Sequence, residues 1–343
     1  MKKQNRHYQQ GFSLLEVFIT LVIGLVIFAG VLSIFVGMRT TTTETSSSGE
    51  LQENGRFAVS LLTEDLLRQD LWGDYTGTFD LASINPVPVA PGNDCNGGGV
   101  NNGSFPLATG TFRTIWGQTI VAGGLDPLGC FPSVTGTQTK VGSDAIQFKR
   151  VLAAPVAATV AGNYYLTANT NEGSILANAI DGSISNARTW QYQHHVYYVR
   201  EEKQGDNLVP VLMQGRLVNS AMRFDPIIDG IEIIRFMYGV DLDDDGVVDS
   251  FISADNMTAP LWNHKGGRDN AEGTNKSLST RILAVKIFVL ARNVLPDNNY
   301  SNTKTYFLGD LNNGQGISFN DNYRRLLFTS TITLHNALVD SWP

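Results

Sequence analysis

The residues best placed to do chemistry are carboxylates. In Asp241-Leu242-Asp243-Asp244-Asp245-Gly246-Val247-Val248-Asp249, the side chains of Asp241, Asp243, Asp245 and Asp249 and the backbone carbonyl of Val247 alternate along one loop, with Gly246 at the turn. Hard oxygens at that spacing, with a glycine that permits the sharp bend, are what a Ca²⁺ loop requires. Ile252 stands where an EF-hand would place its bidentate Glu, and no helix flanks the loop. The expectation is a strand–loop–strand Ca²⁺ site on Asp241, Asp243, Asp245, Val247 and Asp249. The alternative is a solvated acidic turn, but so dense a run of aspartates repels itself without a cation.

Glu16 is a second carboxylate out of the ordinary. It opens an uncharged apolar run from Val17 to Met38, and Lys2, Lys3 and Arg6 precede it. As helix the run is about 33 Å long, enough to span a bilayer. Basic residues ahead of it keep the N-terminus cytoplasmic and send the rest of the chain across the membrane. An ionisable group inside such a span is costly and marks a functional site with a partner. If the chain is cut after Gly11, Phe12 carries a free ammonium one helical turn from Glu16, and that is the charge Glu16 lacks.

Cys95 and Cys130 are the only cysteines. Both lie in loop-type sequence beyond an export signal, so one disulfide is expected. Closing a loop of about 35 residues would stabilise the head by about 3–4 kcal/mol. Two free thiols are the alternative, and no nearby ligand set completes a zinc site. His194 and His195 are adjacent in a strand-type stretch and therefore point to opposite faces, which suits a surface or cross-strand role. His264, Lys265 and Arg268 form a small basic patch in the loop Trp262–Lys276.

Charged residues are 17%, against a usual quarter, and glycine is frequent at 34, which suits an exported β-rich chain with long loops. Net charge is −7 and becomes −10 once the leader removes Lys2, Lys3 and Arg6, a balance that disfavours direct nucleic-acid binding. Neither a nucleophile elbow nor a phosphate loop, H-E-x-x-H or triad order occurs, so an enzyme is not expected.

The elements that must position these groups follow from periodicity. Residues 1–11 read as a leader and 12–38 as a membrane helix, anchored by residues 17–38. Gly24, Gly30 and Gly37 punctuate that helix, where small residues allow close helix approach. The Thr/Ser run Thr40–Ser48 is expected to weaken or locally unwind the helix. Helix resumes within 39–72, ending near Trp72, with Leu51, Ala58, Leu62 and Leu66 on one face and Phe57, Leu61 and Leu67 beside it. Residues 73–142 are Pro/Gly-rich and loop-like. In 143–343, strands are expected over Ala145–Val151, Asn163–Ala168, Gln193–Arg200, Leu208–Gln214, Ile231–Val240, Val247–Ile252, Ile282–Arg292, Thr305–Leu308 and Leu326–Leu334. Ile282–Arg292 is apolar on both faces and reads as central. One long helix followed by strands is an α+β pattern, with the helix packed on an antiparallel β-rich head.

Gly11-Phe12-Ser13-Leu14-Leu15-Glu16 resembles the class III signal of type IV prepilins and type II secretion pseudopilins. The resemblance implies cleavage between Gly11 and Phe12 by a prepilin peptidase, N-methylation of Phe12, and an assembly role for Glu16. Leu51-Gln52-Glu53-Asn54-Gly55-Arg56-Phe57-Ala58, continuing through Leu61, Leu62, Asp65 and Leu66, is similar to the helix of PilW-type minor pilins. Asp229-Gly230-Ile231-Glu232 into Tyr238-Gly239-Val240-Asp241, and Tyr323-Arg324-Arg325, are similar to two further stretches of that family. No proline lies between Phe12 and Trp72, where major pilins usually carry one. The resemblance implies a pilin-like fold and a minor pilin of the priming or tip complex, serving pilus assembly, twitching motility and adhesion. Other pilins, the prepilin peptidase, the inner-membrane assembly platform and a tip adhesin are the implied partners. It also implies residence in the bacterial inner membrane, head in the periplasm, before assembly into the pilus. The alternatives are a minor pseudopilin of type II secretion and a pilin-anchored, calcium-dependent adhesin or ligand-binding module.

Overall fold

The computed structural model describes residues 11–77, 79–263 and 280–336. The chain divides into two compact units at Glu50/Leu51, each described by itself below.

Helix α1 runs unbroken over Leu14–Leu67. In the first unit the side chains from Phe12 to Met38 are exposed, and an 18-residue window reaches a mean hydropathy of 2.8. This is a helix long and apolar enough to cross a membrane. The expected unwinding at Thr40–Ser48 does not occur. At Thr42 the hydroxyl donates to the carbonyl of Met38 at 2.9 Å, inside the helix, so there it does not compete with helical pairing.

In the second unit, Leu51, Ala58, Leu62 and Leu66 are buried, as the spacing predicts, while Phe57 and Leu67 remain nearly half exposed. Fully burying each of the three leucines contributes about 1.5–3 kcal/mol. The helix stops at Leu67, short of the expected end near Trp72. Asp70 takes a left-handed conformation (φ 59°), and the Gln69 and Leu71 amides bond three residues back.

The strands are β1 (Ile115–Thr119), β2 (Thr137–Thr139), β3 (Asp144–Pro155), β4 (Tyr164–Ala168), β5 (Gly173–Ala177), β6 (Arg188–Gln204) and β7 (Asn207–Val218). They continue with β8 (Ala221–Asp229), β9 (Ile231–Asp241), β10 (Ser250–Ser253), β11 (Arg281–Arg292), β12 (Thr305–Tyr306), β13 (Ile317–Ser318) and β14 (Arg325–Thr333). All named pairs are antiparallel.

Strand β6 is the spine of the larger sheet. One of its edges pairs with β3 and then β2, the other with β4 and then β7. β1, β5 and β8 extend the sheet from β3, β4 and β7. The second sheet has the order β10-β9-β11-β14. As its two-sided pattern predicts, β11 is central and buried on both faces. Val285, Ile287, Val289 and Ala291 join the main core with α1, whereas Phe288 and Leu290 join a smaller cluster capped by Tyr306 and Leu308.

Residues 73–142 are more ordered than their composition suggests. They contribute β1 and β2, and a disulfide joins Cys95 to Cys130 across a Cα separation of 4.9 Å. Buried polar side chains pin the rest. Lys149 Nζ donates to the carbonyls of Asn102 (2.6 Å) and Arg113 (2.8 Å), and Gln147 donates to Asn102 at 2.8 Å. Ser104 accepts a hydrogen bond from the Tyr192 hydroxyl, and its amide and hydroxyl donate to Asp94. Burial pushes the Lys149 amine well below the ordinary lysine range.

Candidate functional site: the apolar helix start and the acidic loop

Two places carry the predicted chemistry. At the first, Ser13 begins the helix: its carbonyl accepts from the Glu16 and Val17 amides at 3.0 and 3.2 Å, and its hydroxyl lies 3.4 Å from the Glu16 amide. Glu16 therefore sits in the first turn, where a carboxylate complements the helix dipole. The Thr20 hydroxyl donates to the Glu16 carbonyl. A Cβ added at Gly24, Gly30 or Gly37 would meet nothing within 4 Å, so these glycines leave open surface.

The acidic loop joins β9 to β10, giving the strand–loop–strand arrangement expected from sequence. Asp241 is fully buried at the end of β9. Its carboxylate accepts from the amides of Asp244 (2.7 Å), Asp245 (3.3 Å) and Gly246 (2.9 Å), which folds the loop over it. Asp244 and Gly246 adopt left-handed conformations, φ 62° and 83°, and glycine is the residue suited to that bend. Asp249 accepts from the Leu242 amide at 2.7 Å.

One ligand atom each from Asp241, Asp243 and Asp249 lies within 4.8 Å of the others, a donor set that fits a hard cation. Asp245 stands apart from that group, and one of its carboxylate oxygens takes the Val247 amide at 2.7 Å. Asp244 forms an ion pair with Arg281.

His194 and His195 do face opposite ways, yet neither is a surface residue. His194 is fully buried and bonds Ser104 Oγ (2.9 Å) and, across strands, Gln147 Oε1 (2.8 Å). His195 Nδ1 lies 2.7 Å from Asp65 of α1. His264, Lys265, Arg268 and the rest of the patch through Lys276 lie outside the described residues. Trp72, Trp116, Trp190 and Trp262 are buried in the core.

Buried charge networks went unread in the sequence. Asp65 sits on the buried face of α1 and is held by the Arg150 guanidinium, by His195, and by the Tyr197 hydroxyl at 2.7 Å, with Gln214 bonded behind Tyr197. Burial alone would raise the Asp65 carboxyl. The hydrogen bond and charge of His195, the Arg150 charge and the Tyr197 hydroxyl outweigh it and hold the group well below the usual carboxylate range.

The second network joins the two sheets. Arg235 of β9 meets Asp144 of β3 (3.4 Å), Asp255 (3.3 Å) and Asp310 (2.6 Å). Complete burial pushes the Asp144 carboxyl up to about 6 against the pull of Arg235, Thr119 and the Phe236 amide. β9 is buried on both faces and holds Glu232, Arg235 and Asp241 among apolar residues, and a charge within so apolar a run was the available signal for Arg235.

The three stretches that carry the family likeness converge. Asn54 of α1 donates to the Asp229 carbonyl at 3.1 Å. Gly55 lies under the Phe328 ring, where an added Cβ would stand 2.0 Å from a ring carbon. Arg325 meets Glu232 at 2.5 and 3.1 Å, and Arg292 lies 3.5 Å from the same carboxylate. Helix, β9 and β14 are thus locked at one point.

Two family models match the chain. Residues 6–32 match the family described as Prokaryotic N-terminal methylation motif, which with the apolar helix fits a membrane-anchored prepilin. Residues 196–336, from the middle of β6 past the end of β14, match Type IV Pilus-assembly protein W. Together the matches mark a PilW-like type IV pilin with an α+β fold. No curated protein and no solved structure matches the chain.

Proposed function

We propose that this chain is a minor pilin subunit of a type IV pilus. A prepilin peptidase matures it between Gly11 and Phe12, and Phe12 is then N-methylated. Before assembly it resides in the inner membrane with its head in the periplasm. It then enters the priming or tip complex with other pilins, supporting pilus assembly, twitching motility and adhesion. The observation that carries the reading is Glu16 in the first turn of an apolar helix exposed on every side, next to a methylation motif.

Such a helix leaves lipid only for other apolar helices. There, Glu16 and the Phe12 ammonium of a neighbour neutralise charges that neither lipid nor a packed fibre solvates. Glu16→Ala is expected to insert in the membrane yet be missing from sheared pili on immunoblots; normal incorporation would overturn the role. Gly11→Ala is expected to leave the unprocessed chain, and a mature-sized band would count against the cut site.

The acidic loop is proposed to bind Ca²⁺ through Asp241, Asp243 and Asp249. The grouping of three carboxylates over one loop supports this reading. Titration of the mature chain with CaCl₂ is expected to release heat and to raise Tm in the millimolar range typical of extracellular modules. Asp243→Asn should abolish both effects, and a flat thermogram with unchanged Tm in the wild type would refute the site.

A further inference from the structure

Between β11 and β12 the chain runs through residues 293–304, a turn fixed at both ends. The Asn293 amide donates to the Arg324 carbonyl at 3.0 Å, the Asp297 amide to the Asn322 carbonyl at 2.8 Å, and the Asn302 amide to the Asp321 carbonyl at 2.7 Å. The Asp297 carboxylate pairs with Arg324 at 2.9 Å and accepts the Asn299 amide at 3.0 Å, an Asx turn. The Arg324 guanidinium lies 4.4 Å from the centre of the Tyr300 ring. Held this way, the turn presents Asn298, Asn299 and Ser301 to solvent. Among the described residues the Asn299 carboxamide makes no hydrogen bond; only its backbone amide is engaged.

Asn299-Tyr300-Ser301 is an Asn-x-Ser triplet without proline at its centre, the pattern on which oligosaccharide is attached to asparagine in exported chains. Three more triplets of this kind occur. In Asn102-Gly103-Ser104, Asn102 and Ser104 are buried, and the Asn102 carboxamide donates to the Gly97 carbonyl. In Asn256-Met257-Thr258 the carboxamide is committed to Ser253 Oγ and Asp310 Oδ2, both at 3.1 Å. Asn275-Lys276-Ser277 lies outside the described residues. Only Asn299 has a carboxylate two residues ahead, a charge that a cationic groove can hold while it positions the acceptor.

We propose that Asn299 is an N-glycosylation acceptor, taking an oligosaccharide from a lipid-pyrophosphate donor once the head has crossed the membrane. The bond formed joins Asn299 Nδ2 to the anomeric carbon of the first sugar. The bond broken joins that carbon to the pyrophosphate oxygen. The carboxamide gives up one proton to a base of the transferase, and the lipid pyrophosphate leaves. An ordered turn with an exposed, unbonded carboxamide lets a transferase take the triplet without unfolding the head. Asn102 and Asn256 would first have to leave their packing or their hydrogen bonds. The modification requires the head to be exported, as proposed above.

The test uses the full-length chain purified from its native host, read both as an intact mass and by tandem mass spectrometry after trypsin. Cleavage after Arg292 and Lys304 isolates Asn299 in a peptide with no second triplet. The wild-type peptide is expected to carry a sugar mass that fragmentation places on Asn299, while the peptides holding Asn102 and Asn256 stay unmodified. Asn299→Gln and Ser301→Ala should lose that mass completely, and Ser301→Thr should keep it, with Tm near wild type in all three. An unmodified wild-type peptide would overturn the proposal. So would a sugar that survives Asn299→Gln, which would assign it to a hydroxyl such as Ser301 or Thr303. An intact mass beginning at N-methylated Phe12, beside an unglycosylated peptide 293–304, would sink the glycan and leave the pilin reading standing. A chain still carrying its leader would count against the pilin reading itself.

Discussion

Asp65 is a single carboxylate with an unusual share of the head's cohesion. It is 3% exposed, and each of its oxygens is engaged by a side chain from β3 or β6. Removing one partner of such a buried pair costs about 3–5 kcal/mol, because the other charge is left without compensation. Asp65→Asn is therefore expected to lower stability by that order in urea melts at pH 7. The pH dependence has a definite sign. A carboxyl held below its ordinary value of 3.8 contributes stability that is fully present above that pH and is lost as pH falls below it. The wild type should lose stability between pH 4 and pH 2 more steeply than Asp65→Asn, as read from melts across that range.

At the scale of elements, the packing of α1 on β14 depends on an absent side chain. Alanine favours a helix interior over glycine by about 1 kcal/mol. At Gly55 the Phe328 ring reverses that preference, since a Cβ there would overlap it. Gly55→Ala should therefore destabilise by about 1–3 kcal/mol despite better propensity. Phe328→Leu in the same chain should recover part of the loss, measured by Tm. Sequence patterning read these elements unevenly, and for physical reasons. The apolar stripe of α1 and the two-sided pattern of β11 were plain because periodicity reports burial directly. β8 was hidden because Pro226 sits within it, tolerated on an edge strand where the register shifts at Leu212/Met213. β1 and β2 were hidden in Pro/Gly-rich sequence, since partners distant in the chain, rather than local propensity, make them strands.

Across the whole molecule, legibility follows the same division. Glu16 and the acidic loop were found because their spacing is local. The Asp65 and Arg235 networks were missed because their partners come from far along the chain, and nothing near Asp65 in the helix announces Arg150 or Tyr197. That distance has a consequence for the order in which the head forms. The partners of Asp65 lie 85, 130 and 132 residues further on. Contacts of such separation pay their loop-closure entropy before they give anything back. Until β3 and β6 have paired, the last turn of α1 carries a carboxylate with no cation to meet it. The helix, first to be synthesised, is then among the last parts to lock. Leu62→Ala and Asp65→Asn should accordingly accelerate unfolding while barely slowing refolding, a split that stopped-flow chevrons read directly.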